Sequence, residues 1–79
     1  MHTVEEIEKI IEEVKPGCQL TPEKELIKSG VLDSVDVMSL AMAIAEELDV
    51  EITPLELKEE NFRSVEAILA LVNRLEEEN

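Results

Sequence analysis

Ser34 stands between two carboxylates in the run Gly30-Val31-Leu32-Asp33-Ser34-Val35-Asp36, where a polar stretch enters the most apolar helical segment of the chain. Asp33 is placed as an N-cap: its carboxylate can accept a backbone N–H of the first turn, and its charge suits the positive end of the helix dipole. Ser34 then takes the first helical position, with its hydroxyl at the loop–helix junction. A phosphate ester on that hydroxyl would lie beside N–H groups that lack intrahelical partners. Serine is also common at capped helix starts without any chemistry attached. As an enzyme nucleophile it is poorly equipped. Nucleophilic catalysis needs a base within hydrogen-bond reach, and the sole histidine is His2, at the kind of terminus that is usually mobile. Asp33 and Asp36 would hinder an alkoxide between them.

Other chemistries are excluded in turn. A calcium loop begun at Asp33 fails because Val35, Val37 and Met38 replace the ligands and the turn glycine. Neither a phosphate-cradling glycine loop nor a metal-binding histidine pair is present. Glu12-Glu13 and Glu46-Glu47 read as solvated helix faces. Cys18 is the only cysteine, so neither an internal disulfide nor a paired-cysteine metal site applies. The chain does not read as an enzyme.

The elements around Ser34 are helical. On a wheel of 100° per residue, Val37, Leu40, Ala41, Ile44 and Leu48 form a core-facing stripe. Val35, Met38 and Met42 form a second apolar stripe next to Ser34, while Asp36 and Glu47 share a third face with Ala43. One helix in a small bundle does not need two apolar stripes. The second suits either packing on another helix or a partner surface, and methionine adapts readily to several partners. This helix is expected from about Ser34 to Leu48, closed by Asp49.

Before it, Thr3-Val4-Glu5-Glu6 reads as a capping box opening a first helix with Val4, Ile7, Ile10, Ile11 and Val14 on one face, stopped by Pro16-Gly17. Residues 16–33 form a long connection, pinned to the core by Leu20, Leu26, Ile27 and Leu32, with a short turn from Thr21-Pro22 to Gly30. After it, Val50 and Ile52 are apolar plugs in a link, too few for a sheet. Thr53-Pro54-Leu55-Glu56 reads as a second capping box opening a short third helix through about Glu59. Asn61-Phe62-Arg63 is then a link anchored by the only aromatic. Ser64 caps a last helix lined by Val65, Ile68, Leu69, Val72 and Leu75, ahead of a frayed acidic end at Glu76-Glu77-Glu78-Asn79. The expected architecture is all-α: a four-helix bundle of three longer helices plus one short third helix, with a long loop between helices one and two.

The 79 residues make one domain, 1–79, and a chain this short has no room for a deep enzyme cleft as well as its scaffold. Seven basic against 20 acidic residues give a net charge of −13. Nucleic acid is excluded as a partner, since phosphate neutralisation needs Lys and Arg. Basic patches on other proteins are the natural counterparts, with encounters sped by electrostatic steering. High charge with few aromatics favours disorder, but 44% hydrophobic residues at helical period favour a folded chain. No stretch has the length of a membrane span, and the acidic N-terminus lacks signal-peptide character. A cytoplasmic monomer is expected.

Gly30-Val31-Leu32-Asp33-Ser34-Val35-Asp36 resembles the attachment motif of acyl and peptidyl carrier proteins, usually Asp-Ser-Leu. The likeness continues through the amphipathic run to Leu48, Val50-Glu51-Ile52, the Thr-Pro segment and the helix starting near Ser64. It departs in having Val35 after the serine, and Ser39 and Ala45 where many fatty-acid carriers have acids. The two residues between Gly30 and Asp33 match free-standing aminoacyl or D-alanyl carriers better than the commonest fatty-acid type. The resemblance implies that Ser34, with Asp33 beside it, bears covalent 4′-phosphopantetheine derived from coenzyme A. It further implies a carrier holding acyl intermediates as thioesters and shuttling them among enzymes of fatty-acid, polyketide or related biosynthesis, or else an aminoacyl or D-alanyl carrier. The implied partners are a phosphopantetheinyl transferase, an acyl- or aminoacyl-loading ligase, and synthase or acyltransferase enzymes with basic patches. Val35, Asp36, Met38, Met42 and Glu46 would meet them. A different class also fits the residues alone: an acidic helical adaptor without a prosthetic group.

Overall fold

Glu6 and Thr3 start the first helix by satisfying one another's backbone, with Glu6 N–H donating to Thr3 Oγ1 at 3.4 Å and Thr3 N–H donating to Glu6 Oε1 at 3.0 Å. This is the reciprocal capping box that the sequence spacing predicts. The computed structural model describes residues 2–17, 20–21 and 24–78. Helix α1 runs Val4–Val14 and closes with the Lys15 N–H on the Ile11 carbonyl at 2.7 Å. Helix α2 is Ser34–Leu48 and ends at Asp49, which takes the left-handed conformation (φ 54°) that short polar side chains tolerate. A single 3₁₀ turn, Pro54–Glu56, precedes helix α3 at Glu59–Phe62 and helix α4 at Val65–Glu78. Among the described residues the regular structure is entirely helical.

The amphipathic faces dictate the packing. Ile7, Ile10 and Ile11 of α1, Leu40, Ala41 and Ile44 of α2, and Val65, Ile68, Leu71, Val72 and Leu75 of α4 form one buried cluster. Accordingly α1 packs against both α2 and α4, and α3 lies on α4. Leu26 and Leu32 are buried in the same cluster, with Leu20 and Ile27 packed against it, as expected of residues pinning a long connection. Backbone bonds reinforce them: Leu32 N–H reaches the Leu26 carbonyl at 2.9 Å, and Leu26 N–H reaches the Arg63 carbonyl at 2.6 Å. Gly30 has φ 85° with nothing near the position a Cβ would take, so the backbone conformation and not space requires glycine there. Val50 is buried and Ile52 packs on the cluster, confirming them as plugs.

Four expectations change. The Thr53 hydroxyl makes no capping bond, and Pro54–Glu56 closes as one 3₁₀ turn instead of opening a helix through Glu59. The reason lies elsewhere in the fold: the Glu56 carboxylate that would complete the box is held at 2.7 Å by Arg74 of α4. Asn61 and Phe62, read as a link, are themselves helical, with Asn61 Nδ2 donating to the Glu56 carbonyl at 2.9 Å and Phe62 fully buried. Leu71, missed from the apolar face of α4, is 2% exposed. The described residues near the two ends are held as well. His2 N–H donates to Asn73 Oδ1 at 3.1 Å and its ring lies between Glu6 and Glu76, while α4 stays helical through Glu78. The expectations for Cys18, Pro22 and Asn79 fall outside the described residues.

The third face of α2 meets α1. Glu47 lies against Glu13, and the neighbouring carboxyl, with smaller contributions from desolvation and Glu46, raises its pKa above the usual 4.5; Lys9 works in the opposite direction. A carboxyl with a raised folded-state pKa destabilises the fold above that value, and the penalty disappears as pH falls through it. Glu47→Gln is therefore expected to raise the melting temperature near neutral pH. The gain should vanish as pH drops below the ordinary carboxylate value of 4.5, which thermal melts across the two regimes would check. Chemical denaturation provides a second test. Leu40→Ala, in the core, should cost about 2–5 kcal/mol, whereas Met42→Gln, on the exposed stripe, should leave the transition close to wild type.

Candidate functional site

The start of α2 is built by two aspartates three residues apart. Asp33 has extended backbone angles, and its Oδ1 accepts the Asp36 N–H at 2.9 Å. Asp36 Oδ2 in turn accepts the Asp33 N–H at 3.2 Å. The predicted N-cap is thus one half of a reciprocal box whose other half is Asp36. Ser34 is the first residue of the helix, exposed, with its hydroxyl outside both cap bonds. Its own backbone N–H belongs to the first turn, where donors have no intrahelical acceptor.

Asp36 is half-buried and held from α1. Lys15 at the end of α1 donates to its Oδ2 at 2.8 Å, and the side chain is 20% exposed. Lys15 first, and then the Asp33 N–H, lower the Asp36 pKa below the usual 3.8. By contrast Val35, Met38 and Met42 are 70%, 58% and 71% exposed. They form an unburied stripe on the same side of α2 as the serine, and Glu46, one turn beyond Met42, is exposed as well. The second apolar stripe is therefore not packed on another helix.

Beside Ser34 lies a groove of about 400 Å³. Asp33, Ser34, Val37 and Met38 form its α2 wall; Ile27 of the long connection and Leu57, Lys58 and Glu59 ahead of and at the start of α3 form the other. The second wall was not visible to sequence reasoning, because these residues reach α2 only through the fold. The groove combines the apolar Ile27, Val37, Met38 and Leu57, which suit an aliphatic stem, with Lys58 and the carboxylates of Asp33 and Glu59. Among the described residues no three His, Cys, Asp or Glu side chains are placed to hold a metal ion. Among them too, no helix is long and apolar enough to cross a membrane.

Residues 4–78 match the family described as "phosphopantetheine attachment site". The chain belongs to that phosphopantetheine-binding carrier family. Domains of this family carry covalently attached 4′-phosphopantetheine and are generally carriers and not catalysts. The carrier is also similar to a chain in the crystal structure of Bradyrhizobium japonicum glycine:[carrier protein] ligase complexed with glycylated carrier protein. That match has 28% identity and a TM-score of 0.75, and covers 87% of this chain and 96% of the other. Such coverage makes the matched chain about as short as this one, which points to the carrier component of the complex. The sequences of curated proteins give no match.

The cap of this carrier makes a direct prediction. Asp33→Ala should cost about 0.5–2 kcal/mol, and Asp33→Asn should retain most of the stability, since an amide oxygen can still accept the Asp36 N–H. Because the folded-state pKa of Asp36 is lowered, its contribution is present above the usual 3.8 and is lost as pH falls through the lowered value. Urea midpoints measured from neutral to acidic pH would show both effects.

Proposed function

We propose that Ser34 is the attachment point of the phosphopantetheine arm, and that this carrier receives a small acyl or aminoacyl group from a loading ligase. The observation that carries the reading is the exposed Ser34 at the first position of a capped helix, beside a groove with apolar residues on both walls.

In the attachment step, catalysed by a separate transferase, Ser34 Oγ bonds to the pantetheine-side phosphorus of coenzyme A. The phosphoanhydride bond to adenosine 3′,5′-bisphosphate breaks, and the bisphosphate leaves with the electron pair. The hydroxyl proton goes to a base of the transferase. The carrier's own contribution is placement. The reciprocal bonds of Asp33 and Asp36 fix the first turn, and the free N–H groups there favour an anionic phosphate. Lys58 would offset phosphate charge at the groove, while Ile27, Val37, Met38 and Leu57 would shield the aliphatic part of the arm. When bound, the arm supplies a thiol that holds a carbonyl group as a thioester open to nucleophiles.

Val35, Met38 and Met42 would give each partner enzyme an adaptable apolar contact, with Glu46 at the rim. The surrounding negative charge would steer the carrier to basic surfaces and favour fast association. Aminoacyl loading is favoured over fatty-acyl loading by the structural neighbour, whose description names a glycine ligase and a glycylated carrier, and by the spacing from Gly30 to Asp33.

Mass spectrometry tests the reading. After incubation with coenzyme A and a broad-specificity phosphopantetheinyl transferase, the wild-type chain should gain one arm and Ser34→Ala none. Several transferases failing on the wild-type chain would instead favour an adaptor without a prosthetic group. Subsequent incubation with ATP and a glycine-activating ligase should add a glycyl group, whereas loading by a fatty-acyl ligase alone would assign the carrier to long-chain acyl groups.

A further inference from the structure

We infer that Lys15, at the far end of α1, is a positioning residue for Ser34. Its ammonium donates to Asp36 Oδ2 at 2.8 Å, and the same oxygen accepts the Asp33 N–H at 3.2 Å. One atom thus joins α1 to both halves of the cap that flanks the serine. The Lys15 backbone closes α1, and the chain leaves at once through Pro16 and Gly17 into the long connection. Lys15 and Asp36 therefore tie together the two ends of the segment that delivers Ser34, fixing a loop whose closure otherwise costs entropy.

The cation also has an electrostatic task. Asp33 and Asp36 place two negative charges around Ser34, in a body of net charge −13, where an anionic phosphate must approach. Lys15 offsets one of them without occupying the approach, since it reaches Asp36 from the α1 side. Its side chain is 42% exposed, so its removal leaves no core cavity. Serine placement and local charge should change while the bundle persists.

This inference rests on Ser34 being the attachment residue, and the test separates the two. Wild type, Lys15→Met and Lys15→Arg would be compared as purified apo chains. In nuclear magnetic resonance, Lys15→Met should move the Ser34 to Asp36 amide signals and shift the Asp36 carboxyl titration upward, and Lys15→Arg should do neither to the same extent. With coenzyme A and a broad-specificity transferase, Lys15→Met should lower kcat for modification roughly threefold to thirtyfold, as expected when a reacting group is displaced by a fraction of an ångström. The KM for the carrier should stay near wild type, and Lys15→Arg should restore the rate.

An unchanged kcat in Lys15→Met would overturn the inference. So would a rise in KM at unchanged kcat, which would make Lys15 a contact of the transferase. Equal slowing by Met and Arg would also overturn it, by removing the charge from the explanation. If the wild-type chain takes no arm, the Ser34 reading falls. The amide and carboxyl spectra then still decide whether Lys15 braces the cap, with unchanged spectra in Lys15→Met overturning that as well.

Discussion

Burial of Leu40, Ala41 and Ile44 against α1 sets the orientation of α2, and everything at the site follows from that orientation. Two of the three are fully buried and Ala41 nearly so, and a helix rotated away from this contact would expose them at a cost of about 1.5–3 kcal/mol for each large side chain. With that face fixed, the helix period leaves Val35, Met38 and Met42 outside and points Asp36 and Glu47 toward α1. The exposed stripe is thus the geometrical remainder of the core stripe. A small bundle can hold an exposed apolar stripe beside its core without confusing the two, because the core positions are buried in the common cluster against α1 while the stripe stays exposed.

Electrostatics then decides details that burial does not. The same face of α2 carries one favourable and one unfavourable carboxylate. Asp36 meets Lys15 and a backbone N–H, so its charged form is favoured; Glu47 meets Glu13, so its charged form is disfavoured. Both lie in partly solvated positions, where ion pairs contribute little to global stability. Their importance is local. The favourable pair sits at the start of α2 beside Ser34, and the strained one lies near the opposite end.

The Glu56–Arg74 pair shows why a local motif can fail. Thr53 to Glu56 has the residues of a capping box, with proline at the position that suits a helix start. A box is worth only about 1 kcal/mol, little enough for a competing partner to redirect its carboxylate. Arg74 on α4 takes Glu56, Asn61 takes the Glu56 carbonyl, and the chain turns once in 3₁₀ form before α3 begins. The result places Leu57 and Lys58 opposite Val37 and Met38, forming the second wall of the groove.

Local and periodic signals made much of this protein legible in its sequence. Thr3 with Glu6, Asp33 before Ser34, and Ser64 before Val65 each mark a helix start through a side chain acting within three residues. The apolar spacing of Ile7, Ile10 and Ile11, of Leu40, Ala41 and Ile44, and of Val65, Ile68 and Val72 marks the buried faces, since a helix repeats on itself whatever surrounds it. The position of the serine and the two stripes of α2 follow from the same arithmetic. What only the tertiary structure decided involves residues far apart in the chain. Lys15 reaching Asp36, Glu56 leaving its box for Arg74, His2 lodged between Glu6 and Glu76, and Ile27 with Leu57 facing α2 across a groove all depend on how helices pack. Long charged side chains can meet many partners from one backbone position, so their pairing is chosen by the fold and leaves no period in the sequence.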